Sequence, residues 1–424
     1  MNHASLLTPF DAAAILIVLA AVLAYLNHKL LRLPSSIGLT IMGAVASLIV
    51  VAIDRLLPGS RVGAEVVGFL AGIDFHATLM DGMLSFLLFA GALHVHWGEM
   101  RRGRWPILVL STVGTLLSTA IVGTGFWLLA GMAGFGLPLL WCLVFGALIS
   151  PTDPVAVMGI LKRAKVESTL EATVAGESLF NDGIGVVIFT ILLAAALGTE
   201  PFTFARAAHL FLLEAVGGVL LGLIVGWIAF RAMRSIDDYQ TEVMISLAVV
   251  MGGYTIARWL HVSGPVAMAV AGLLIGNAGV AHAMSDTTRD YLLKFWSLID
   301  DILNAVLFLL IGLVVVMVPA DPRLIPLGAA AIVLVIVARS ISVVVPLSVL
   351  RPLLSLGPLA PVTLIWGGLR GGISVALALG LPEGPARSVS LAATYMIVLF
   401  SVIVQGGSIE RVLAFVQRRR DSVP

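Results

Sequence analysis

The stretch LPLLWCLVFGALISPTDPVAVMGILK, residues 137–162, is an apolar segment with Pro151 and Pro154 at its centre. A proline inside a helix removes a backbone donor, and its ring clashes with the preceding turn. These two prolines therefore predict a helix that breaks around Thr152 and Asp153. The apolar flanks are together long enough for a membrane span. The segment thus predicts a spanning helix in two halves, with a carboxylate at the break.

The composition places this segment in a polytopic membrane protein. Of the 424 residues, 59% are hydrophobic and 12% are charged, and the mean hydropathy is +1.07. A soluble protein of this size could not bury so much apolar surface. The single cysteine, Cys142, excludes an intramolecular disulfide and a cysteine-based metal site. The net charge of +1 gives no indication of nucleic-acid binding, and we expect no cofactor.

Hydropathy predicts an all-α fold with about thirteen spans, each near the roughly 20 residues that cross a bilayer. The first is not followed by an A-x-A-like cleavage site, so we interpret it as a span and not as a signal peptide. Residues 54–80 leave room for a short re-entrant piece, so twelve spans also fit. The predicted spans are residues 10–27, 36–53, 81–97, 105–130, 137–161, 168–197, 208–230, 239–259, 263–280, 298–318, 323–350, 359–381 and 388–415.

The basic residues predict the orientation, because Lys and Arg accumulate in cytoplasmic connections. With the N-terminus outside, most of the 25 Lys and Arg residues fall in inside connections. The outside connections hold only Arg55, Arg61, Arg206, Arg258, Arg323 and Arg387. We therefore expect a multi-pass membrane protein with the N-terminus outside and a cytoplasmic C-terminus. The short basic tail after residue 415 would lie at the inner membrane surface.

A second interrupted helix is predicted in span 12, LAPVTLIWGGLRGGISVALALGL, residues 359–381. Two pairs of glycines, at 367–368 and 371–372, flank Arg370. Spans 5 and 12 are seven spans apart and run in opposite directions. That arrangement is typical of an inverted repeat whose broken helices cross at the membrane midplane around a substrate site.

Span 6 carries polar residues in an apolar setting, AGESLFNDGIGVVIF at 175–189. Ser178 and Asp182 are four residues apart and share a helix face, and Glu177 and Asn181 share the next face. Asp182 lies about 14 residues into the span, or roughly 21 Å at 1.5 Å per residue. An intramembrane acid costs about 2.5–3.5 kcal/mol. We therefore expect a functional role for Asp182, and a bridging hydrogen bond from Asn181.

The other intramembrane charges have structural interpretations. We expect Glu177 and Arg370 to form a permanent ion pair, and Arg339 to be a counter-charge or a snorkelling residue. Asp153 either compensates the positive end of the second half-helix or lines the site. Both interpretations of Asp153 remain open.

Two further groups of polar residues lie near the predicted inner surface. His94 and His96 do not share a helix face and are interpreted as interfacial, because no acid or cysteine has the spacing for a metal site. Asp300 and Asp301 are either solvated acids at the start of span 10 or attract cations into an inner funnel.

Together these motifs resemble a known family. SPTDPVAV at 150–157, GESLFNDGIGVV at 176–187, LFLLIGL at 307–313 and GGLRGGISVALAL at 367–379 are similar to the sodium/proton antiporters of the first monovalent cation/proton antiporter family. The similarity is to its NhaP-like bacterial branch, which is related to animal sodium/proton exchangers. It extends over nearly the whole chain.

The resemblance implies a protein of the bacterial inner membrane that forms a homodimer, with a scaffold and a mobile core in each subunit. Residues 1–104 and 199–320 would form the scaffold and the dimer contact, and residues 105–198 and 321–424 the core. The family's Thr-Asp-Pro motif corresponds to residues 152–154 and its Asn-Asp pair to residues 181–182. Its core arginine corresponds to Arg370, and Arg339 resembles a second arginine. One departure is LLFAGAL at 87–93, where Ala90 stands at a position that is acidic in some relatives.

These residues suggest secondary transport with obligatory exchange by alternating access, because Asp182 cannot bind a proton and a sodium ion well at once. The carboxylate of Asp182, the hydroxyl of Ser178 and oxygens near Thr152 and Asp153 are the expected ligands. The substrates would be Na⁺, or Li⁺, and H⁺, exchanged one for one without net charge movement.

Three alternatives belong to other classes or other cations. A K⁺/H⁺ antiporter would use the same residues. An intramembrane aspartyl hydrolase would need Asp153 and Asp182 to share a proton, but NDGIG does not resemble a G-x-G-D motif and Arg370 would have no role. A passive cation channel would need a carbonyl filter, which nothing in the sequence resembles.

Overall fold

The computed structural model describes residues 9–56, 66, 68–69, 78–163, 166–198, 203–279, 283–319, 321–350, 356–357 and 359–421. The described part is built of helices, several of which contain a π-helical turn. In chain order they are α1 Pro9–Leu26, α2 Ser35–Leu56, α3 Leu84–Leu93, α4 Trp97–Arg102, α5 Arg104–Met132, α6 Leu139–Ile149, α7 Val155–Arg163, α8 Ser168–Ala196, α9 Phe204–Met233, α10 Tyr239–Trp259, α11 Gly264–Leu274, α12 Asp286–Leu313, α13 Leu324–Leu350, α14 Ala360–Trp366, α15 Gly372–Leu379, α16 Pro385–Phe400 and α17 Gly406–Asp421.

The prediction of an all-α polytopic membrane protein is confirmed. Eight helices in the described ranges are long and apolar enough to cross a membrane, and three shorter helices are also apolar. Each of the thirteen predicted spans overlaps at least one of the helices, while the number of actual crossings stays a prediction. The possible re-entrant piece at 54–80 falls mostly outside the described residues. The basic tail is helical as far as Asp421.

Both predicted helix breaks are present. Helix α6 ends at Ile149 and α7 begins at Val155, while α14 ends at Trp366 and α15 begins at Gly372. The two extended segments cross and pair in antiparallel fashion, because the backbone N–H of Asp153 donates to the carbonyl oxygen of Leu369 over 2.8 Å. Two of the backbone groups that the breaks release thus satisfy each other, as apolar surroundings require.

The helices pack in two groups around this crossing. Helix α6 packs against α5 and α8, and α13 packs against α5 and α16. In the other group α2 packs against α12, while α11 contacts both α3 and α9. Helix α8 contacts both groups, through α9 and α11. The predicted division into scaffold and core stays a prediction.

Helix α12 is fixed to α2 by close backbone contact. A Cβ atom added to Gly312 would lie 2.6 Å from the carbonyl oxygen of Thr40, so only glycine allows this approach. The hydroxyl of Thr40 donates to the carbonyl oxygen of Phe308 over 3.2 Å, and that of Ser47 donates to the carbonyl oxygen of Leu313 over 2.9 Å. These contacts hold α12 in a defined register beside the crossing.

Candidate ion-binding site

The break in the first interrupted helix is tied to α8 by hydrogen bonds. The backbone N–H of Thr152 donates to Oδ1 of Asn181 over 3.2 Å, and Nδ2 of Asn181 donates to the hydroxyl of Thr152 over 2.8 Å. The same hydroxyl lies 3.1 Å from Oγ of Ser178. Asn181 therefore forms the bridge between helices that its position predicted. This bridge brings Thr152 and Ser178, both buried, to one place.

Asp153 combines the two interpretations that its sequence position left open. Its Oδ1 accepts a hydrogen bond from the backbone N–H of Val155 over 2.9 Å, so it caps the positive end of α7. Its side chain also lines a large cavity and packs against Gly371, where an added Cβ would lie 2.5 Å from Oδ2. The carboxylate is thus held between the two broken helices and faces the cavity.

Asp182 lies at the buried end of the same cavity. Its exposed fraction is 8%, and it is close enough to Asp153 for the two charges to interact. Within the described ranges, no hydrogen bond or ion pair of the Asp182 side chain is found. A buried carboxylate without a protein partner needs a proton or a cation to offset its lost hydration.

The predicted ion pair of Glu177 with Arg370 is wrong, because Arg339 is the partner of Glu177. Nη1 of Arg339 lies 2.5 Å from Oε1 of Glu177, and Nη2 donates to Oε2 over 3.0 Å. This bidentate pair is buried. Arg339 also donates from Nε and Nη2 to the carbonyl oxygen of Leu364, over 3.0 and 2.8 Å. It is therefore a counter-charge and not a snorkelling residue.

Arg370 instead caps the first broken helix. Its Nη1 donates to the carbonyl oxygens of Ser150 and of Pro151, the latter over 3.0 Å. These carbonyls follow the C-terminal end of α6, where the helix dipole is negative. The antiparallel crossing at Leu369 carries the next residue to this end and away from Glu177. Each buried arginine thus neutralises the C-terminal end of one half-helix.

The cavity is about 640 Å³ in volume and runs from exposed His94 and His96 to buried Asp182. Among the described residues that line it, none is Lys or Arg, and six are acidic: Glu99, Asp153, Glu171, Asp182, Asp300 and Asp301. A cavity lined by one sign of charge attracts counter-ions. The funnel interpretation of Asp300 and Asp301 is consistent with this position.

Glu99 stands where the cavity opens and is ionised at neutral pH. A hydrogen bond from the hydroxyl of Thr169, 2.8 Å from Oε2, is the main cause that holds the pKa of Glu99 below its usual range, and the charge of Arg102 adds to it. The contact also ties α4 to the start of α8. Glu99 therefore contributes a fixed negative charge at this end of the cavity.

Among the polar residues that line the cavity, sequence reasoning missed Ser297, Asn304 and Ser374, as well as Glu99, Ser168 and Glu171. Ser297 and Asn304 are seven residues apart on α12, with Asp300 between them, so they share its face. That spacing was a signal in the sequence, but three polar residues on one helix face do not show what that face contacts. Ala90 is buried among the apolar side chains that surround Phe89 and Trp296.

The match to a family agrees with this geometry. Residues 17–415 match the model for the transmembrane sodium/hydrogen exchanger. The chain belongs to the sodium/hydrogen exchanger family. Proteins of this family are transporters, so the chain is a transporter and not an enzyme, and the hydrolase alternative is excluded.

The chain is similar to individual sodium/hydrogen exchangers over most of their length. The chain is 46% identical to the Na⁺/H⁺ antiporter NhaP of Pseudomonas aeruginosa, over 94% of this chain and 95% of that protein. It is 35% identical to the Na⁺/H⁺ antiporter NhaH of Halobacillus dabanensis, over 89% and 91%. The fold is similar to that of the sodium proton antiporter MjNhaP1 of Methanocaldococcus jannaschii, with a TM-score of 0.75, 19% identity and coverage of 96% and 98%.

Proposed function

We propose that the protein exchanges Na⁺ for H⁺ across the membrane, with Asp182 binding the two ions in turn. The observation that carries this proposal is the unpaired carboxylate of Asp182 at the buried end of an acidic cavity. The other acid of this helix turn, Glu177, is neutralised by Arg339. The relatives that bear sodium/proton names support the choice of Na⁺ over K⁺.

The oxygens around Asp182 suit a hard cation, which binds oxygen ligands. Ser178 is one helix turn before Asp182 on the same face, and its hydroxyl lies 3.1 Å from that of Thr152. Asp153 faces the same cavity. We assign Asp182, Ser178, Thr152 and Asp153 as the sodium ligands. Asn181, Glu177, Arg339 and Arg370 form the network that holds these ligands in place.

Alternating access follows from the charge of Asp182. Binding of either ion neutralises the carboxylate, so the core, residues 105–198 and 321–424, can carry it past the apolar scaffold. An empty, charged Asp182 resists this movement because desolvation of the charge is unfavourable. Exchange is therefore obligatory, since the core does not move back across the membrane while Asp182 is empty and charged.

The transported charge is set by the number of acids that titrate. Asn181 cannot carry a proton, Glu177 is paired with Arg339, and Asp153 is held at the N-terminus of α7. Asp182 is then the single exchangeable carboxylate of the site. One sodium ion is exchanged for one proton, and no net charge moves.

In the membrane we propose a homodimer whose contact is formed by the scaffold, with the N-terminus outside and the C-terminus in the cytoplasm. Helices α1 and α9 suit the lipid or dimer surface. In their most apolar 18-residue segments, only 17% and 22% of the residues are buried within the subunit. The location would be the bacterial inner membrane, where sodium extrusion serves sodium tolerance and pH homeostasis.

The test is exchange by the purified protein in proteoliposomes with an imposed pH gradient and an internal pH dye. Addition of Na⁺ or Li⁺ should dissipate the gradient, and K⁺ should have little effect. Choline chloride at equal concentration is the control for ionic strength. Dissipation without any added cation would indicate a leak, and a response to K⁺ equal to that for Na⁺ would contradict the assigned substrate.

A further inference from the structure

A second group of oxygen-bearing side chains lies in the cavity, apart from the assigned sodium ligands around Asp182. Asp300 and Asn304 are one turn apart on α12, and Ser374 is on α15. The two helices are in direct contact, since Leu307 packs against Gly372. Asn304 is three residues before Leu307 and Ser374 is two residues after Gly372, so this contact brings their helix segments together.

Two of these side chains are buried with an unsatisfied polar atom. Asn304 is 7% exposed and Ser374 is 1% exposed. Among the described residues, Oγ of Ser374 has no hydrogen-bond partner, and Nδ2 of Asn304 lies beside the carboxylate of Asp300 without a hydrogen bond of good geometry. Rotation of an amide exchanges its oxygen and nitrogen, so Asn304 can present Oδ1 at this position. Buried polar groups are normally satisfied, and an amide and a hydroxyl beside a carboxylate can be satisfied together by one cation.

The charges of the cavity also favour a cation here. Asn304 lies beside the carboxylate of Asp300, and Asp300 is close enough to Asp153 for their charges to interact. Asp153 interacts in the same way with Asp182. The three carboxylates therefore form a series from α12 to the buried end of the cavity, with no Lys or Arg among the described lining residues.

We infer that Asp300, Asn304 and Ser374 form a second monovalent-cation site, which Na⁺ occupies on its way to Asp182. This inference rests on the proposed exchange of Na⁺ at Asp182. The ion is passed from Asp300 past Asp153 to Asp182. The site raises the local concentration of Na⁺ beside Asp182, so its loss weakens apparent affinity for Na⁺ and leaves the exchange step itself intact.

The direct test is equilibrium binding of ²²Na⁺ to purified protein in which Asp182→Asn has removed the first site. This variant should still bind Na⁺. Adding Asp300→Asn should abolish the remaining binding, and adding Asp300→Glu should preserve it because the carboxylate is kept. Asn304→Leu in the same background should weaken it. An Asp182→Asn protein that binds no Na⁺, or binding that survives Asp300→Asn, would overturn the second site.

Transport gives an independent measure in an otherwise wild-type chain. Asp300→Asn should raise KM for Na⁺ about tenfold, which corresponds to about 1.4 kcal/mol, while kcat stays nearly constant. Asp301→Asn removes the same charge from the same cavity and measures general attraction, so its effect should be clearly smaller. Asp290→Asn, on the same helix but exposed and paired with Lys294, is the control. Equal effects of Asp300→Asn and Asp301→Asn would show that only charge matters and would refute the site.

The two proposals fail in different ways. If the wild-type protein does not exchange Na⁺ for H⁺, the proposed function is wrong whatever Asp300 does. If wild-type exchange is normal and Asp300→Asn leaves both KM and the binding of ²²Na⁺ unchanged, only the second site is wrong. Thermal melting of each variant in detergent identifies those that are misfolded. If Asp300→Asn or Asn304→Leu is misfolded, Asp300→Glu and Ser374→Ala are measured in its place.

Discussion

Asp182 is buried and has no hydrogen-bond or ion-pair partner among the described residues, and these two properties make it the expected carrier of the exchanged ions. Asp182→Asn should abolish exchange and leave the protein folded, because an amide has nearly the same shape but cannot take up and release a proton. Exchange in proteoliposomes and melting in detergent are the measurements. Sodium-driven proton movement by the purified variant would contradict the assignment.

The buried pair of Glu177 and Arg339 should matter for stability more than for ion chemistry. Removing either partner leaves an unpaired buried charge, which costs about 3–5 kcal/mol. Glu177→Ala and Arg339→Ala should therefore each lower the melting temperature far more than Asp182→Asn does. The double variant should recover part of the loss. The matched control is Glu177→Ala with Arg370→Ala, which should show no such recovery, since Arg370 contacts backbone carbonyls instead.

At the scale of elements, the two interrupted helices depend on close contact at their crossing. An alanine at Gly371 would place its Cβ 2.5 Å from Oδ2 and 2.6 Å from Cβ of Asp153. Gly371→Ala should therefore displace Asp153 and sharply reduce exchange. Gly252→Ala is the control, because Gly252 lies within α10 and an added Cβ meets nothing within 4 Å. If both variants transport like the wild type, the crossing tolerates more movement than its geometry indicates.

The same elements explain why both arginines are buried. A helix that ends inside the membrane leaves carbonyl groups unpaired and a negative partial charge at its C-terminus. Arg370 meets the carbonyls after α6, and Arg339 meets that of Leu364 near the end of α14. The two interrupted helices are thus stabilised in the same way, as an inverted repeat predicts.

For the whole molecule, one exchangeable carboxylate predicts exchange without net charge movement. Exchange in liposomes should therefore be insensitive to potassium–valinomycin potentials of either sign. The measurement is the sodium gradient reached at each imposed potential. A gradient driven by voltage would show that more than one proton moves per sodium ion, and Asp153 would be the first residue to examine, using Asp153→Asn.

Competition at one carboxylate also predicts a rate that falls on both sides of an optimum pH. At low pH protons displace Na⁺ from Asp182, and at high pH too few protons are present for the return step. The rate should be measured across a pH series at several Na⁺ concentrations. More Na⁺ should extend activity to lower pH. A rate that keeps rising at high pH under saturating Na⁺ would contradict simple competition.

The sequence by itself determined the membrane class and the two helix breaks, and it predicted Asp182 as the acid of the site. These follow from local chemistry: apolar length, the missing donors of Pro151 and Pro154, and the free-energy cost of Asp182 in a membrane. The partner of Glu177 and the polar wall of the cavity were decided only by the tertiary structure. Arg339 and Arg370 are equally possible partners in sequence, and the antiparallel crossing at Leu369 directs Arg370 elsewhere. Asn304 faces the cavity because of the register in which α12 packs on α2, and register between distant helices depends on contacts that no local pattern records.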